Sequence, residues 1–311
     1  MQKRLISYAL LAASTASSAI IKDVRDSIAR NDLAGADAQV EAYRRQNGAT
    51  PEMLEALSWL GRGALDARDY RRADQYARQT YDLCVEQLKH QALDHERHLP
   101  IALGAAIEVQ ANVMAARGER SAAVDFLRYQ LRTYHATSIR MRIQKNLNLL
   151  TLEGKPAPQI ATKEYVGPKP LTLAALKGKP VLLFFWAHWC GDCKAEIPVL
   201  SRIEKEYGSH LAIIGPTQRY GFVAQGAEAP PDGELKYIDE VRQKYYAPRI
   251  PGFQVPVDEE TFKNYGASTT PTIVLVDASG IVRLYRPGNM SYEELKPFLE
   301  KYGRVPVAVT D

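Results

Sequence analysis

Trp189-Cys190-Gly191-Asp192-Cys193 joins an apolar run, Val181 to Trp186, to a helical pattern from Lys194 to Tyr207. A buried strand that runs into a Cys-x-x-Cys sequence at the start of a helix is typical of dithiol redox sites. Backbone N–H groups and the dipole at a helix N-terminus stabilise negative charge, so they lower the pKa of a thiol placed there. We therefore predict Cys190 as the nucleophile and Cys193 as the resolving thiol.

Two other interpretations of the cysteine pair are a zinc half-site and a pair of structural cysteines. A zinc site needs a second pair of ligands, and the chain has one further cysteine, Cys84, over a hundred positions away. No pair of histidines follows at the spacing of a zinc finger. We expect redox chemistry that requires neither a metal nor an organic cofactor.

Length and composition limit the remaining possibilities. The 311 residues predict about two domains, and 40 Lys and Arg against 36 Asp and Glu give a net charge of +4. This small excess, with no basic run interleaved with aromatic residues, gives no reason to expect a nucleic-acid partner.

The N-terminus has the pattern of a secretory signal peptide over residues 1–19. Lys3 and Arg4 precede an apolar run from Leu5 to Ala13, and small residues follow up to Ala19. Cleavage after Ala19 would give a bacterial periplasmic or otherwise exported protein, without an integral membrane span. The alternative is that this segment is the first helix of the following domain.

Residues 20–152 are predicted to form an all-α domain of helical hairpins. Three segments share one pattern: a turn leads into a helix that has a small residue where a partner helix must approach closely. Trp59-Leu60-Gly61 precedes the second of these segments. This partial match predicts a tetratricopeptide-like domain. Such a domain offers a surface for a protein partner, or serves only for packing. The three segments are Asp32-Leu33 with Ala36 and Val40, Asp69-Tyr70 with Ala73 and Ala77, and Glu119-Arg120 with Ala123 and Leu127.

Cys84 and a group of histidines are the other reactive residues of this region. Cys84 shares a helical face with Ala73 and Ala77, so we expect a buried core thiol rather than a redox partner. His90, His95 and His98 are expected on a solvated helix end, with metal binding as the alternative.

Residues 153–311 are predicted to form an α/β domain. Gly154, Pro156 and Pro158 end the helical pattern, and strand and helix patterns alternate after them. The strands are expected at 181–187, 211–215, 272–277 and 281–286, the last two as a hairpin. A long polar segment, 216–256, contains a helical stretch, and Ser291 with Glu294 predicts a capping box for the last helix.

This half of the chain, about 154–303, resembles the TlpA/ResA/DsbE-type thioredoxin-like family of thiol-disulfide oxidoreductases. The resemblance implies a thioredoxin fold, with a mixed central sheet flanked by helices, and exported thiol-disulfide exchange. It also implies that Thr270-Pro271 is a cis peptide facing the cysteines and that the backbone of Thr270 pairs with the substrate chain. The residues that carry it are Gly154 to Pro158, Leu176 to Pro180, Phe185 to Pro198, Tyr265-Gly266 and Thr270-Pro271-Thr272.

Further site residues follow from the motif and from its departures. Glu196 matches an acidic residue of the family and lies one turn after Cys193, where it either influences thiol protonation or is a surface carboxylate. Asp192 stands where proline is common, and its charge opposes a nearby thiolate. Trp189 is expected to shield the sulfurs, and Pro271 to align a partner.

The sequence therefore predicts a thiol-disulfide oxidoreductase that acts on protein disulfides and exchanges electrons with an upstream thiol partner. The charge of Asp192 favours a reductant over an oxidant. Two alternatives remain: a redox-sensing protein whose helical domain binds a partner, and a thiol peroxidase of the redoxin branch. A thiol peroxidase of this branch requires a threonine three residues before its reactive cysteine, whereas this chain has Ala187 at that position.

Overall fold

The computed structural model describes residues 19–303, and the chain divides into two compact units between Ile143 and Gln144. The division falls inside a helix, Arg140–Thr151, nine residues before the boundary expected at 152. The domain limits 20–152 and 153–311 stay a prediction. The signal-peptide pattern lies outside the described residues except for Ala19, where the first helix is already formed.

The first unit consists of α-helices joined by short turns. Side chains cap several N-termini: Asp32 accepts from the N–H of Gly35, and Asp69 from that of Arg72. The helices are α1 (19–29), α2 (Leu33–Asn47), α3 (Pro51–Asp66), α4 (Tyr70–Gln87), α5 (His98–Ala116), α6 (Arg120–Thr133) and the start of α7 (Arg140–Thr151), with a 3₁₀ turn at Leu93–His95.

The three repeated segments are confirmed as helix starts, at the first residues of α2, α4 and α6. Their small and apolar residues are all buried, as the pattern requires: Ala36, Val40, Ala73, Ala77, Ala123 and Leu127. Gly61 of α3 faces α4: a Cβ at this position would lie 3.7 Å from the backbone nitrogen of Ala77, in ordinary van der Waals contact. The region is all-helical as expected, and its assignment as tetratricopeptide-like remains a proposal.

Helix α5 lies at the centre of this unit and packs against α3, α4 and α6. Among the helices within residues 19–303, α5 is the one that is long and apolar enough to cross a membrane. However, 61% of its apolar stretch is buried inside the protein. That burial, which includes Leu99, Leu103 and Val109, is the environment of a central core helix.

Cys84 is fully buried in α4, as predicted, and burial raises the pKa of its thiol to about 12. The expectation of a solvated histidine group is wrong for His98. Its side chain is buried and its Nδ1 lies 2.7 Å from Oε2 of Glu55, whereas His90 and His95 are exposed.

The second unit is built on a four-stranded sheet in the order β3-β2-β5-β6. Strand β2 pairs parallel with β3 and antiparallel with β5, and β5 and β6 form the predicted hairpin. The strands are β2 (Val181–Phe185), β3 (Ala212–Ile214), β5 (Thr272–Val276) and β6 (Val282–Pro287), and β1 (Tyr165–Val166) pairs separately with β4 (Val255–Pro256).

Helices of this unit are α8 (Gly191–Ala195), α9 (Ile197–Tyr207), α10 (Pro231–Val241), α11 (Glu259–Tyr265) and α12 (Tyr292–Tyr302), and α10 continues into a π-helical turn at Arg242–Tyr246. The helix after the cysteines is divided at Glu196 between α8 and α9, with Pro198 in the first turn of α9. The capping box of Ser291 and Glu294 is confirmed.

The strand β2, which is buried on both faces, determines where the cysteine motif lies. All five β2 residues are buried: Leu182 and Phe184 share a core with Leu200 and Ile203 of α9, whereas Phe185 packs against Phe262 and Tyr265. The strand ends at Phe185, two residues earlier than predicted, and the next residue, Trp186, donates from Nε1 to the carbonyl of Gly215 at 2.9 Å. The chain then reaches Cys190 at the edge of the core.

Candidate dithiol site

Cys190 and Cys193 form a disulfide at the N-terminus of α8, with an S–S distance of 2.07 Å. Cys190 is the N-cap residue, and its Sγ accepts a hydrogen bond from the N–H of Cys193 at 3.0 Å. Cys190 is 3% exposed and Cys193 is fully buried. The sulfur that receives the helix N–H is therefore also the one that a second molecule can reach.

The peptide bond between Thr270 and Pro271 is cis, as the family resemblance implies. The carbonyl oxygen of Thr270 lies 3.5 Å from Sγ of Cys190, and Pro271 is buried beside the half-buried Thr270. This segment leads into β5, the neighbour of β2 in the sheet. The backbone before β5 and the sulfur after β2 thus meet at one edge of the sheet.

Glu196 is buried, so the interpretation as a surface carboxylate is wrong. Its Oε1 accepts a hydrogen bond from the N–H of Met290 at 3.1 Å. Burial raises the pKa of the Glu196 carboxyl group, and hydrogen bonds from Met290 and Asn289 oppose this rise. The carboxyl group is thus held one turn after Cys193 with a pKa above that of an ordinary glutamate.

Trp189 and Asp192 lie on the solvent side of the site. Trp189 is 51% exposed, and its ring meets that of Tyr220 edge-to-face at 5.4 Å. The side chain of Asp192 is exposed, and its backbone carbonyl accepts from Nδ2 of Asn289 at 3.3 Å. The exposed indole offers an apolar surface beside Cys190, and its predicted shielding of the sulfurs stays a prediction.

His188 and Glu234 form a buried pair that sequence reasoning missed. Both side chains are 1% exposed, and Nε2 of His188 lies 3.1 Å from Oε1 of Glu234. The carboxylate of Glu234 also accepts from the backbone N–H groups of Tyr220 and Gly221, at 2.6 and 2.8 Å. One carboxylate thus ties the residue two positions before Cys190 to the segment 216–256.

Aromatic rings enclose the imidazole of His188. Tyr220, Phe222 and Tyr237 each meet it nearly edge-to-face, with centroids 5.3 to 5.6 Å away. This burial lowers the pKa of His188, although Glu234 acts in the opposite direction. The imidazole is therefore neutral at pH 7, and it serves here as a hydrogen-bonded packing element. The sequence showed His188 inside the motif but gave no sign of a partner 46 residues away.

Metal ligands do not cluster in the described part of the chain: no group of three His, Cys, Asp or Glu residues between 19 and 303 has the geometry to hold an ion. The reactive atoms that the structure brings together are thus the two sulfurs, with the carbonyl of Thr270 and the carboxyl group of Glu196 nearby.

Comparison with known proteins finds similarity in the second half of the chain. Residues 168–303 match the family model of the thioredoxin-like domain. The thioredoxin-like protein YneN of Bacillus subtilis is 29% identical over 149 residues, which cover 48% of this chain and 79% of the relative. The thiol:disulfide interchange protein DsbE of Pseudomonas fluorescens is 30% identical over 135 residues, which cover 42% of this chain and 64% of the relative.

Two further relatives have the same kind of name. The thiol-disulfide oxidoreductase ResA of Bacillus thuringiensis subsp. konkukian is 28% identical over 150 residues, which cover 48% of this chain and 77% of the relative. A crystal structure of a thioredoxin-family thiol:disulfide interchange protein from Chlorobium tepidum covers 48% of this chain and 97% of its own, with 23% identity and a TM-score of 0.39.

Proposed function

We propose that this chain, a thiol-disulfide oxidoreductase whose residues 168–303 belong to the thioredoxin-like domain family, reduces protein disulfides outside the cytoplasm through Cys190 and Cys193. One observation carries the assignment of roles. Cys190 is the more exposed residue of the pair, 3% against 0% for Cys193, and its Sγ accepts the N–H of Cys193 at a helix N-terminus.

Two exchange steps follow from this arrangement. In the reduced enzyme, the thiolate of Cys190 attacks one sulfur of a substrate disulfide, forms a mixed disulfide and releases the other substrate sulfur as a thiolate. The thiolate of Cys193 then attacks Sγ of Cys190, which closes the enzyme disulfide and releases the second substrate thiolate. Two electrons pass from the dithiol to the substrate, and the released thiolates take up two protons.

Glu196 is proposed as the group that accepts the proton of Cys193. The thiol of Cys193 is buried, so it must lose its proton before it attacks, and bulk water does not reach it. Residues 193 and 196 are three apart on the helical segment and so share a face. The raised pKa of the Glu196 carboxyl group makes it a stronger base than a surface glutamate.

The substrate chain is proposed to bind along Thr270 and Pro271. An extended segment that pairs with the backbone of Thr270 would place its own disulfide next to Cys190, whose sulfur is 3.5 Å from that carbonyl. The exposed ring of Trp189 would cover the mixed disulfide, and the exposed charge of Asp192 favours the reductive direction.

Export is proposed from the pattern of residues 1–19, and the helical domain 20–152 is proposed to be tetratricopeptide-like and to bind a protein partner. Mass spectrometry of the exported protein should find a new N-terminus at Ile20. Material that is exported with residues 1–19 intact would contradict the signal peptide.

The central test is reduction of insulin disulfides by three single variants. Cys190→Ser should lower the rate by about a thousandfold or more, because no nucleophile remains. Cys193→Ser should lower turnover and accumulate a mixed disulfide, and Cys84→Ser, which alters a buried thiol of the helical unit, should retain the wild-type rate.

Activity in Cys190→Ser would contradict the assignment of the nucleophile. A wild-type protein that consumes peroxide rapidly and reduces insulin poorly would instead support the thiol peroxidase.

A further inference from the structure

A groove of about 820 Å³ runs along helix α9 in the thioredoxin-like unit. One side is formed by α9 and the residue after Cys193, and the other by the π-helical turn that follows α10. The lining residues are Lys194, Ile197, Pro198, Ser201, Arg202, Lys205, Glu206, Lys244, Tyr245 and Arg249.

Positive charge dominates this groove, with five cationic side chains and one carboxylate. The carboxylate of Glu206 is already engaged, because its Oε1 lies 2.8 Å from Nε of Arg202. Within residues 19–303, no carboxylate lies within 4.0 Å of the other four cations, which are Lys194, Lys205, Lys244 and Arg249. Four uncompensated charges in one groove equal the net charge of the entire chain, +4.

Shape restricts the ligand to an extended one. Lys194 in α8 and Lys205 in α9 are eleven residues apart along two consecutive helices, so the charges are spread over at most about 16 Å. This length matches about five residues of extended polypeptide. The lining is partly apolar, with Ile197 and Pro198, and the centroid of the Tyr245 ring lies 5.1 Å from Nζ of Lys194 and 5.2 Å from Nζ of Lys244.

The groove lies next to the reactive cysteines. It begins at Lys194, the residue that directly follows Cys193, and continues away from the dithiol along α9. When a partner protein places its disulfide at Cys190, the partner residues next to that disulfide would therefore extend towards this row of cations.

We infer that the groove binds an acidic segment that flanks the cysteine of the disulfide-bearing partner. The inference rests on the proposed function, and it adds a preference for the charge of the substrate that the dithiol alone cannot provide. Charges at the edge of an interface act mainly on the rate of association and on the choice of partner. The groove would thus raise kcat/KM for partners with glutamate or aspartate beside their disulfide and leave the exchange steps unchanged.

The test compares two disulfide peptides that differ only in four residues beside the cysteine, four glutamates in one and four glutamines in the other. We expect the wild-type protein to reduce the glutamate peptide about fivefold faster or more in kcat/KM at low ionic strength. The double variant Lys205→Glu/Lys244→Glu should lose or reverse this preference while it reduces the glutamine peptide at the wild-type rate. Added salt at about 0.5 M should diminish the preference, because it screens charges at this distance.

The matched control is Lys163→Glu/Lys169→Glu, which makes the same change of charge at two exposed lysines outside the groove. It should keep the preference of the wild type. Equal rates for both peptides in the wild-type protein, or an equal loss in both double variants, would overturn the inference. Failure to reduce either peptide would instead contradict the proposed function.

Direct binding separates the acidic peptide from other polyanions. A cysteine-free peptide of six glutamates, labelled for fluorescence anisotropy, should bind the oxidised wild-type protein and bind Lys205→Glu/Lys244→Glu at least fivefold more weakly. If single-stranded DNA or phosphatidylglycerol vesicles bind through these lysines and the glutamate peptide does not, the groove has another ligand and the inference is wrong.

Discussion

Glu234 is the residue that holds the segment 216–256 against the motif. Its carboxylate is 1% exposed and is the acceptor for Nε2 of His188 and for the N–H groups of Tyr220 and Gly221. Glu234→Ala should lower the free energy of unfolding by about 3 kcal/mol, because a buried donor without an acceptor costs about 1–3 kcal/mol. Urea unfolding measures the loss.

Glu228→Ala is the matched control for that change, since Glu228 is an exposed carboxylate in the same segment and should cost less than about 0.5 kcal/mol. Equal losses in the two variants would show that the hydrogen bonds of Glu234 add no stability. The pair could not be predicted from sequence, because its formation depends on how a segment without strong periodicity folds back over His188.

Glu196 gives a second prediction at this scale, on the dependence of stability on pH. Its pKa in the folded protein is raised above the usual value of 4.5, so the folded state holds the proton more tightly than the unfolded state. The stability that the protonated Glu196 adds to the folded state is complete below pH 4.5, and it is lost as the pH rises through the pKa of the folded state. Glu196→Gln, which keeps an acceptor for the Met290 N–H, should therefore stabilise the oxidised protein more at pH 7 than at pH 4.

The measurement is urea unfolding of both proteins at the two pH values, with Glu240→Gln, an exposed glutamate of α10, as the control. A stability difference that is the same at pH 4 and pH 7 would contradict a raised pKa for Glu196. The position of Glu196 on the helix face was predictable from its spacing to Cys193. Its depth was not, because burial depends on the Asn289–Met290 segment that covers it.

Helix α8 shows why the reactive element could be predicted from local sequence. The strand β2 and the helix start at the cysteines are each determined by neighbouring residues, and both were expected. The capping box at Ser291 was predictable for the same reason. The two-residue strands β1 and β4 escaped prediction, since a strand of that length has no detectable alternation and forms only through its partner.

The first turn of α8 also permits a prediction on redox potential. Asp192 adds a negative charge beside the thiolate of Cys190, so Asp192→Pro should stabilise the reduced form and make the disulfide more oxidising. A change of about 1.4 kcal/mol in this two-electron couple corresponds to about 30 mV, which sets the order of the expected shift. Proline fits the first turn of a helix, where its missing N–H is not needed. Titration against glutathione measures both potentials.

The exposed side chain of Asp192 sets the condition for that shift, because solvent and salt screen its charge. The shift should therefore be larger at low ionic strength than at 0.5 M salt. An equal or more negative potential in Asp192→Pro at low ionic strength would show that Asp192 does not act on the thiolate.

Packing and linker composition place the division of the chain at different residues. Gly154, Pro156 and Pro158 led us to expect the boundary at 152, but the compact units separate at 143 and 144, inside α7. The physical reason lies in contacts of α7 that its sequence does not reveal. A side chain on Gly266 would collide with the backbone of Lys145, at 2.3 Å, so α7 packs directly on the residue that ends α11.

Two truncated proteins distinguish these boundaries. In the thioredoxin-like unit, Nδ2 of Asn148 donates to the carbonyl of Asn264 at 3.3 Å, and α7 covers Gly266. Residues 144–311 keep both contacts, and residues 153–311 lose both, which exposes the end of α11. The longer fragment should be more stable to urea by at least about 1 kcal/mol, the typical net value of one such hydrogen bond, and both should retain insulin reduction if the unit folds alone. Equal stabilities would place the boundary at 152, since the second half of α7 would then contribute nothing to the fold that positions Cys190.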